Sequence, residues 1–196
     1  VMSMVVGIGV PARAQSDWGR IVLDREAQPP VEGTSIAMTL HQGKVHLVYA
    51  QANRLIYATN RSGGWKKQTM PGTSGVHSPS IALALDADGR PHVVYDSSNR
   101  VWFMKRDASG AWTPPEEVVP TGRQPAIALD RNGQPHVSYI GDQDRLGYAI
   151  GSGSPRVWQS WNLIVPSDTG RPPLVKSRSP IAIAGNRVVL AYAAWT

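Results

Sequence analysis

One segment type recurs four times in this chain, at intervals that a repeat architecture produces. Ser35–Tyr49 reads SIAMTLHQGKVHLVY, Ser80–Tyr95 reads SIALALDADGRPHVVY and Ala126–Tyr139 reads AIALDRNGQPHVSY. A shorter relative, PIAIAGNRVVLAY, spans Pro180–Tyr192. The closing tyrosines Tyr49, Tyr95, Tyr139 and Tyr192 follow one another at 46, 44 and 53 residues. Trp18, Trp65, Trp112 and Trp158 recur every 46 or 47. Two residue types keeping one period mark structural units that bury their apolar faces against one another.

Each unit reads as four short strands. A small apolar run such as Ile81-Ala82-Leu83 comes first, and an Asp-Gly or Asn-Gly turn follows at Asp88-Gly89 and Asn132-Gly133, a hairpin signal. His92-Val93-Val94-Tyr95 forms the second strand and Val101-Trp102-Phe103-Met104 the third, and a fourth starts at Trp112. Four strands in this length is the size of one β-propeller blade. Ala and Ile suit the crowded inner strand, and Trp suits the wide outer one. A β-sandwich does not require one spacing four times, and a β-helix needs a shorter coil. Composition agrees: 19 Gly, 16 Pro and only 17% charged residues fit tight turns and short strands better than long helices. The expected fold is thus an all-β propeller with four-stranded blades over residues 15–196: three complete blades, with partial N- and C-terminal ones. Trp18–Leu23 matches an early fourth strand, and the ring is incomplete as given.

Val1–Val10 is an uncharged apolar run, and Ala12-Arg13-Ala14 offers a small-x-small cleavage site after Pro11. Residues 1–14 are expected to be the remnant of a secretory signal, which places the protein outside the cytoplasm: secreted, periplasmic or on the cell surface. Ten apolar residues are too few for a membrane span. The alternative is a buried first strand. With no Cys there is no disulfide and no thiolate metal site.

The units resemble the bacterial neuraminidase-repeat, sialidase-like propellers. The resemblance rests on Asp-x-x-Gly-x-Pro-His-Val-x-Tyr at Asp86–Tyr95 and Asp130–Tyr139. It rests also on Asp107-Ala-Ser-Gly-Ala-Trp112 and its relative Asn60–Trp65, which are similar to the Asp-box turn between third and fourth strands. Sialidases imply an arginine triad, a Tyr/Glu nucleophile pair and a further acidic residue. No Arg-Ile-Pro segment starts such a triad near the first blade, and no catalytic residues are assigned.

His46, His92 and His136 occupy one repeat position and are expected to form a repeated inter-blade hydrogen bond rather than bind metal, because successive blades separate them too widely for one ion. The repeated tryptophans are expected to be core. Ligand contacts are sought where loops converge. The second-to-third-strand loops end in Arg54, Arg100 and Arg145. With Arg123 and His77 from the inter-blade loops, these form a candidate rim for anions, since the planar guanidinium binds carboxylate or sulfate bidentately. Local pairing with Asp96, Asp142 and Asp144 is the competing expectation. Gly141–Asp144 offers too few oxygens for Ca²⁺. Trp161 and Trp195 are candidates for stacking on sugar rings, and the insert 165–179 carries Arg171, Lys176 and Arg178. The net charge of +6 permits anionic partners. No cofactor motif or nucleotide loop is present, and nucleic acid is not expected as a partner. The function expected is recognition of a carbohydrate or cell-surface ligand, an anionic glycan among them, with self-association through open edge strands. The alternative is an exo-glycosidase whose site is completed by further blades.

Overall fold

The computed structural model describes residues 5–8, 19–22, 35–60, 64–163, 174–175, 177–185 and 187–195. The chain divides into two units, residues 1–32 and 33–196. In the first, β1 (Val5–Ile8) pairs antiparallel with β2 (Gly19–Val22). Where an early fourth strand of a blade was expected at Trp18–Leu23, Gly19–Val22 form β2, which among the described residues pairs with β1 in a two-stranded sheet. The cleavage site and Trp18 lie outside the described residues.

The second unit holds the blades. Blade 1 is β3 (Ile36–His41), β4 (Lys44–Gln51), β5 (Arg54–Thr59) and β6 (Lys66–Thr69), hydrogen-bonded in that order. Blade 2 repeats the order with β7 (Ile81–Leu85), β8 (Pro91–Ser97), β9 (Arg100–Lys105) and β10 (Glu116–Val119). Blade 3 comprises β11 (Arg123–Leu129), β12 (Pro135–Ile140), β13 (Leu146–Ser152) and β14 (Val157–Asn162). β15 (Leu174–Val175) pairs with β18 (Ala194–Trp195), and between them β16 (Ile181–Ala184) and β17 (Arg187–Leu190) form the hairpin of the fourth repeat. All pairings are antiparallel, as hairpin-joined strands require.

Local chemistry explains the turns. Asp86 Oδ1 accepts the backbone N–H groups of Asp88 and Arg90 at 3.0 and 2.8 Å, and Asp130 Oδ1 does the same for Asn132 and Gln134, both at 2.8 Å. Gly89 and Gly133 then take positive φ (73° and 75°), which glycine adopts without a Cβ clash. The fourth strand of blade 2 starts later than the sequence suggested. Trp112 makes an isolated bridge to Arg106, and pairing resumes at Glu116, because Pro114 and Pro115 lack the N–H that a ladder needs.

The core lies in the seams between blades. Ala37, Val48, Leu55, Tyr57 and Met70 of blade 1 pack on Ile81, Val93, Tyr95, Met104 and Trp112 of blade 2. Val94, Val101 and Phe103 then meet Val137, Tyr139 and Ala149 of blade 3. Trp65 is only half-buried, but two of the repeated tryptophans join the core as expected: Trp112 stands edge-on to Tyr57 at 5.4 Å, and Trp158 stands edge-on to Phe103 at 5.3 Å. Each thus reaches back onto the third strand of the preceding blade.

The histidines differ from expectation. His46 Nδ1 lies 2.6 Å from the Tyr57 hydroxyl, and His136 Nδ1 lies 2.6 Å from that of Tyr148. Both bonds are within a blade, because register places second-strand His close to third-strand Tyr on one face. In blade 2 the third-strand residue is Phe103, so His92 Nδ1 is buried without a hydrogen-bond partner among the described residues.

Candidate functional site

The two ends of the blades carry different chemistry. At one end the inter-blade segments dock on the second-to-third-strand turns: Gly75 and Val76 donate to the Asn53 carbonyl at 3.0 and 3.1 Å, and Gly122 donates to that of Asn99 at 2.8 Å. This is the end expected to carry the arginine rim. Arg54 and Arg145 are exposed there and form no ion pair among the described residues. Arg100 is bound instead, its Nη1 lying 2.5 Å from Glu117 Oε2. Its acid comes from the outer strand β10 and not from its own loop. Arg123, from the inter-blade loop, pairs with Asp144 of the second-to-third-strand loop of blade 3, 21 residues on, rather than with an acid of its own loop. His77 and Asp142 are exposed.

Asp96 has a structural task. It accepts the N–H of Ser80 at 2.7 Å and of Gln124 at 2.6 Å, tying the inner strands of blades 2 and 3 together. Burial raises its pKa above the usual carboxylate value, although those bonds and the charge of Arg178 pull the other way. Of the three basic residues named in the insert, Arg178 is thus the one among the described residues, while Arg171 and Lys176 lie outside them. The side chain of Trp195 also lies outside them. Trp161 is exposed and stacked on Tyr148, with centroids 5.6 Å apart.

The opposite end, formed by first-to-second and third-to-fourth-strand turns, holds two clefts that sequence reasoning missed. The larger, about 280 Å³, opens between blades 1 and 2 and is lined by Tyr57, Thr59, Asp88, Arg90, Arg106 and Asp107, among others. Arg106 dominates it. Its guanidinium carbon lies 5.3 Å from the Tyr57 ring and 5.7 Å from the Trp112 ring, while Nη2 donates to Gln68 Oε1 at 2.7 Å. Its Nε and the indole Nε1 of Trp112 are buried without an acceptor among the described residues. Asp107 Oδ1 accepts from the Ser109 hydroxyl at 2.6 Å and the Ala111 N–H at 3.0 Å. The Ser109 bond holds its carboxyl below the usual range. Asp86 and Asp88 both pair with Arg90.

The next seam repeats this arrangement. Arg156 lies 4.7 Å from the Phe103 ring and 5.9 Å from that of Trp158, and its Nε lies 3.2 Å from Glu116 Oε2. Register makes Gln68 and Glu116 equivalent, opposite Tyr57 and Phe103 respectively. The arginines themselves come from different repeat positions. Arg106 follows β9, whereas Arg156 reaches over Gly151, where a Cβ would come within 2.7 Å of its Cδ. Alignment of the repeats therefore conceals the correspondence. The missed signal was an arginine within six residues before each of Trp112 and Trp158. A second cleft of about 220 Å³ lies between blade 3 and the β16–β17 hairpin, lined by Asp130, Arg131, Asn132, Gln134, His136 and Ile183, among others.

No family model and no curated protein matches the chain. Solved structures do. AofleA from Arthrobotrys oligospora superposes with a TM-score of 0.56 at 14% identity, over 78% of this chain and 48% of that one. A protein of unknown function from Dyadobacter fermentans gives 0.54 at 11% identity, over 79% and 47%. A fucose lectin from Kordia zhangzhouensis, solved with methyl-fucoside, gives 0.44 at 17% identity, over 66% of this chain and 100% of that one. The matched region spans about half the length of the first two proteins. With four-stranded antiparallel blades packed seam to seam, the fold is that of a β-propeller.

Proposed function

We propose that this chain is a carbohydrate-binding propeller module whose ligand sites lie in the seams between blades, with the blade 1–blade 2 cleft as the principal one. The observation that carries this reading is the pairing of Arg106 with Tyr57, Trp112 and Gln68, repeated as Arg156 with Phe103, Trp158 and Glu116. A sugar ring presents hydroxyls around an apolar face. An arginine fixed by two aromatic rings offers donors in a set plane, and the neighbouring amide offers an acceptor. Such orienting polar groups beside aromatic walls are what small-molecule sites use for specificity. The volume, about 280 Å³, is at the small end for ligand pockets and suits one ring.

Binding rather than hydrolysis fits the acids of the cleft. A glycosidase needs one carboxyl with a raised pKa to act as general acid. Asp107 is instead held low by its turn, and Asp88 is committed to Arg90. The Asp107 turn leading into Trp112 supports blades of the neuraminidase-repeat type. A second reading places anionic glycans on the opposite end, favoured by exposed Arg54 and Arg145. Export to the periplasm or cell surface suits either reading.

Glycan-array binding tests these readings with wild type, Arg106→Ala and the double variant Arg54→Ala/Arg145→Ala. Loss of signal in the first variant alone supports the seam site. Loss in the second alone moves the site to the arginine rim. Binding unchanged in both overturns both readings.

A further inference from the structure

The two seams between complete blades share one design and differ in one charge. Register sets Gln68 opposite Tyr57 and Glu116 opposite Phe103, so these side chains hold equivalent places on the outer strands β6 and β10. Each meets an arginine. Arg156 Nε lies 3.2 Å from the Glu116 carboxylate, and the two charges offset each other. Arg106 Nη2 donates to the Gln68 amide oxygen at 2.7 Å, and an amide carries no charge to set against the guanidinium.

Arg106 forms no ion pair among the described residues. The acids that line its cleft are engaged elsewhere: Asp88 pairs with Arg90, and Asp107 Oδ1 takes the Ser109 hydroxyl and the Ala111 N–H. Of the guanidinium's N–H donors, one meets Gln68 and the Nε–H is buried. Those remaining on Nη1 and Nη2 are left for a ligand. The rings of Tyr57 and Trp112, at 5.3 and 5.7 Å, hold the guanidinium in place. A second cation stands on the same wall. Lys66 is the register partner of Thr59, which lines the cleft, just as Gln68 is that of Tyr57. Side chains two apart on a strand share a face, so Lys66 lies on the Gln68 side of β6, and it is exposed.

Given the seam site proposed above, we propose that the cleft between blades 1 and 2 selects acidic sugars, taking the carboxylate of a uronic acid on Arg106 with Lys66 at its mouth, and that Gln68 sets this preference. A carboxylate forms a charge-assisted pair with the terminal nitrogens of a guanidinium. It supplies from the ligand the counter-charge that Glu116 supplies from the protein in the next seam. A neutral sugar offers only hydroxyls, and covering Arg106 with one desolvates its charge without an opposite partner.

Calorimetry on the full chain tests this with matched methyl glycosides, glucuronide against glucoside and galacturonide against galactoside. The members of each pair differ only in a carboxylate or a hydroxymethyl group on the ring. In wild type, at least one uronide is expected to bind at least about tenfold more tightly than its neutral partner, by a margin that shrinks as salt is raised. Gln68→Glu is expected to remove that margin by pairing with Arg106 as Glu116 pairs with Arg156, while the neutral glycoside loses no affinity. Gln68 is exposed, and the next blade carries Glu at the same place, so the fold accommodates the change. A neutral glycoside that binds as tightly as its uronide in wild type, a Gln68→Glu protein that keeps the full margin, or no binding of any of the glycosides would each overturn the proposal. Glycan-array binding that Arg106→Ala abolishes would in each of those cases leave the seam site itself standing, so the two readings fail separately.

Discussion

Replacing Phe103 by tyrosine is expected to stabilise the protein, an unusual outcome for adding a hydroxyl to a core. His46 and His136 each meet a tyrosine hydroxyl at 2.6 Å, with ring centroids 5.9 and 6.0 Å apart. His92 and Phe103 sit at nearly the same separation, 5.7 Å, but Nδ1 of His92 faces a ring without a hydroxyl. His92 Nε2 lies 3.7 Å from Asp86 Oδ2, which favours the proton on Nε2 and leaves a lone pair on Nδ1. A buried polar atom without a partner costs about 1–3 kcal/mol, and a hydrogen bond made in its place nets about 0.5–1.5 kcal/mol. Part of the gain is offset by fitting one more oxygen into a packed seam. Phe103→Tyr should therefore add about 1 kcal/mol, raising Tm by roughly 2–4 °C for a domain of this size. Tyr148→Phe should lose a similar amount. Urea unfolding of wild type and both variants measures this. A Phe103→Tyr protein less stable than wild type, with m-value unchanged, would refute the reasoning that the blades share one His–Tyr geometry.

Two further outcomes concern the same packing. A Cβ at Gly147 would come within 2.3 Å of the Tyr139 ring, whose hydroxyl end and edge are fixed in a buried seam. Gly147→Ala should lose at least about 1–3 kcal/mol from overpacking, and a neutral result in thermal denaturation would show that blade 3 can open at no cost. Burial lowers the His92 pKa from 6.5 to about 4, helped by Lys105 and Arg156 and opposed by Asp86. Its folded value lies below its unfolded one, so the unfolded chain takes up the proton first. This histidine's contribution to stability is then full above about pH 6.5 and falls as pH drops toward 4, by an amount of the order of 3 kcal/mol. His92→Gln should flatten that part of the urea-measured pH profile, and an unchanged slope would assign it to other groups.

Much of the fold was legible because repeated blades need the same residues in the same order. The Asp-x-x-Gly turns, the second strands of the three full blades and the packing of Trp112 and Trp158 follow from local rules, although those strands run one or two residues past their tyrosines and Tyr192 lies beyond β17. The rim was only partly legible. Arg123 reaches Asp144, 21 residues on, and Arg100 reaches Glu117, seventeen residues on, so neither pairs with an acid of its own loop. A long flexible side chain is committed by what stands within several ångströms, which neighbouring positions in sequence do not reveal. The seam arginines were illegible for the same reason, since Arg106 and Arg156 reach equivalent places from unequal repeat positions.

By itself, then, the amino-acid sequence determined the blade: its period, its four strands, its turns and the face that each side chain takes. These depend on neighbours along the chain and on alternation within a strand. Only the tertiary structure decided what happens between blades. It turned His46 and His136 to tyrosines of their own blades, made Asp96 a tie between inner strands and drew Arg106 and Arg156 between aromatic rings. Those outcomes depend on distances of a few ångströms between residues some forty positions apart, and the period of a repeat says that blades meet without saying which atoms do.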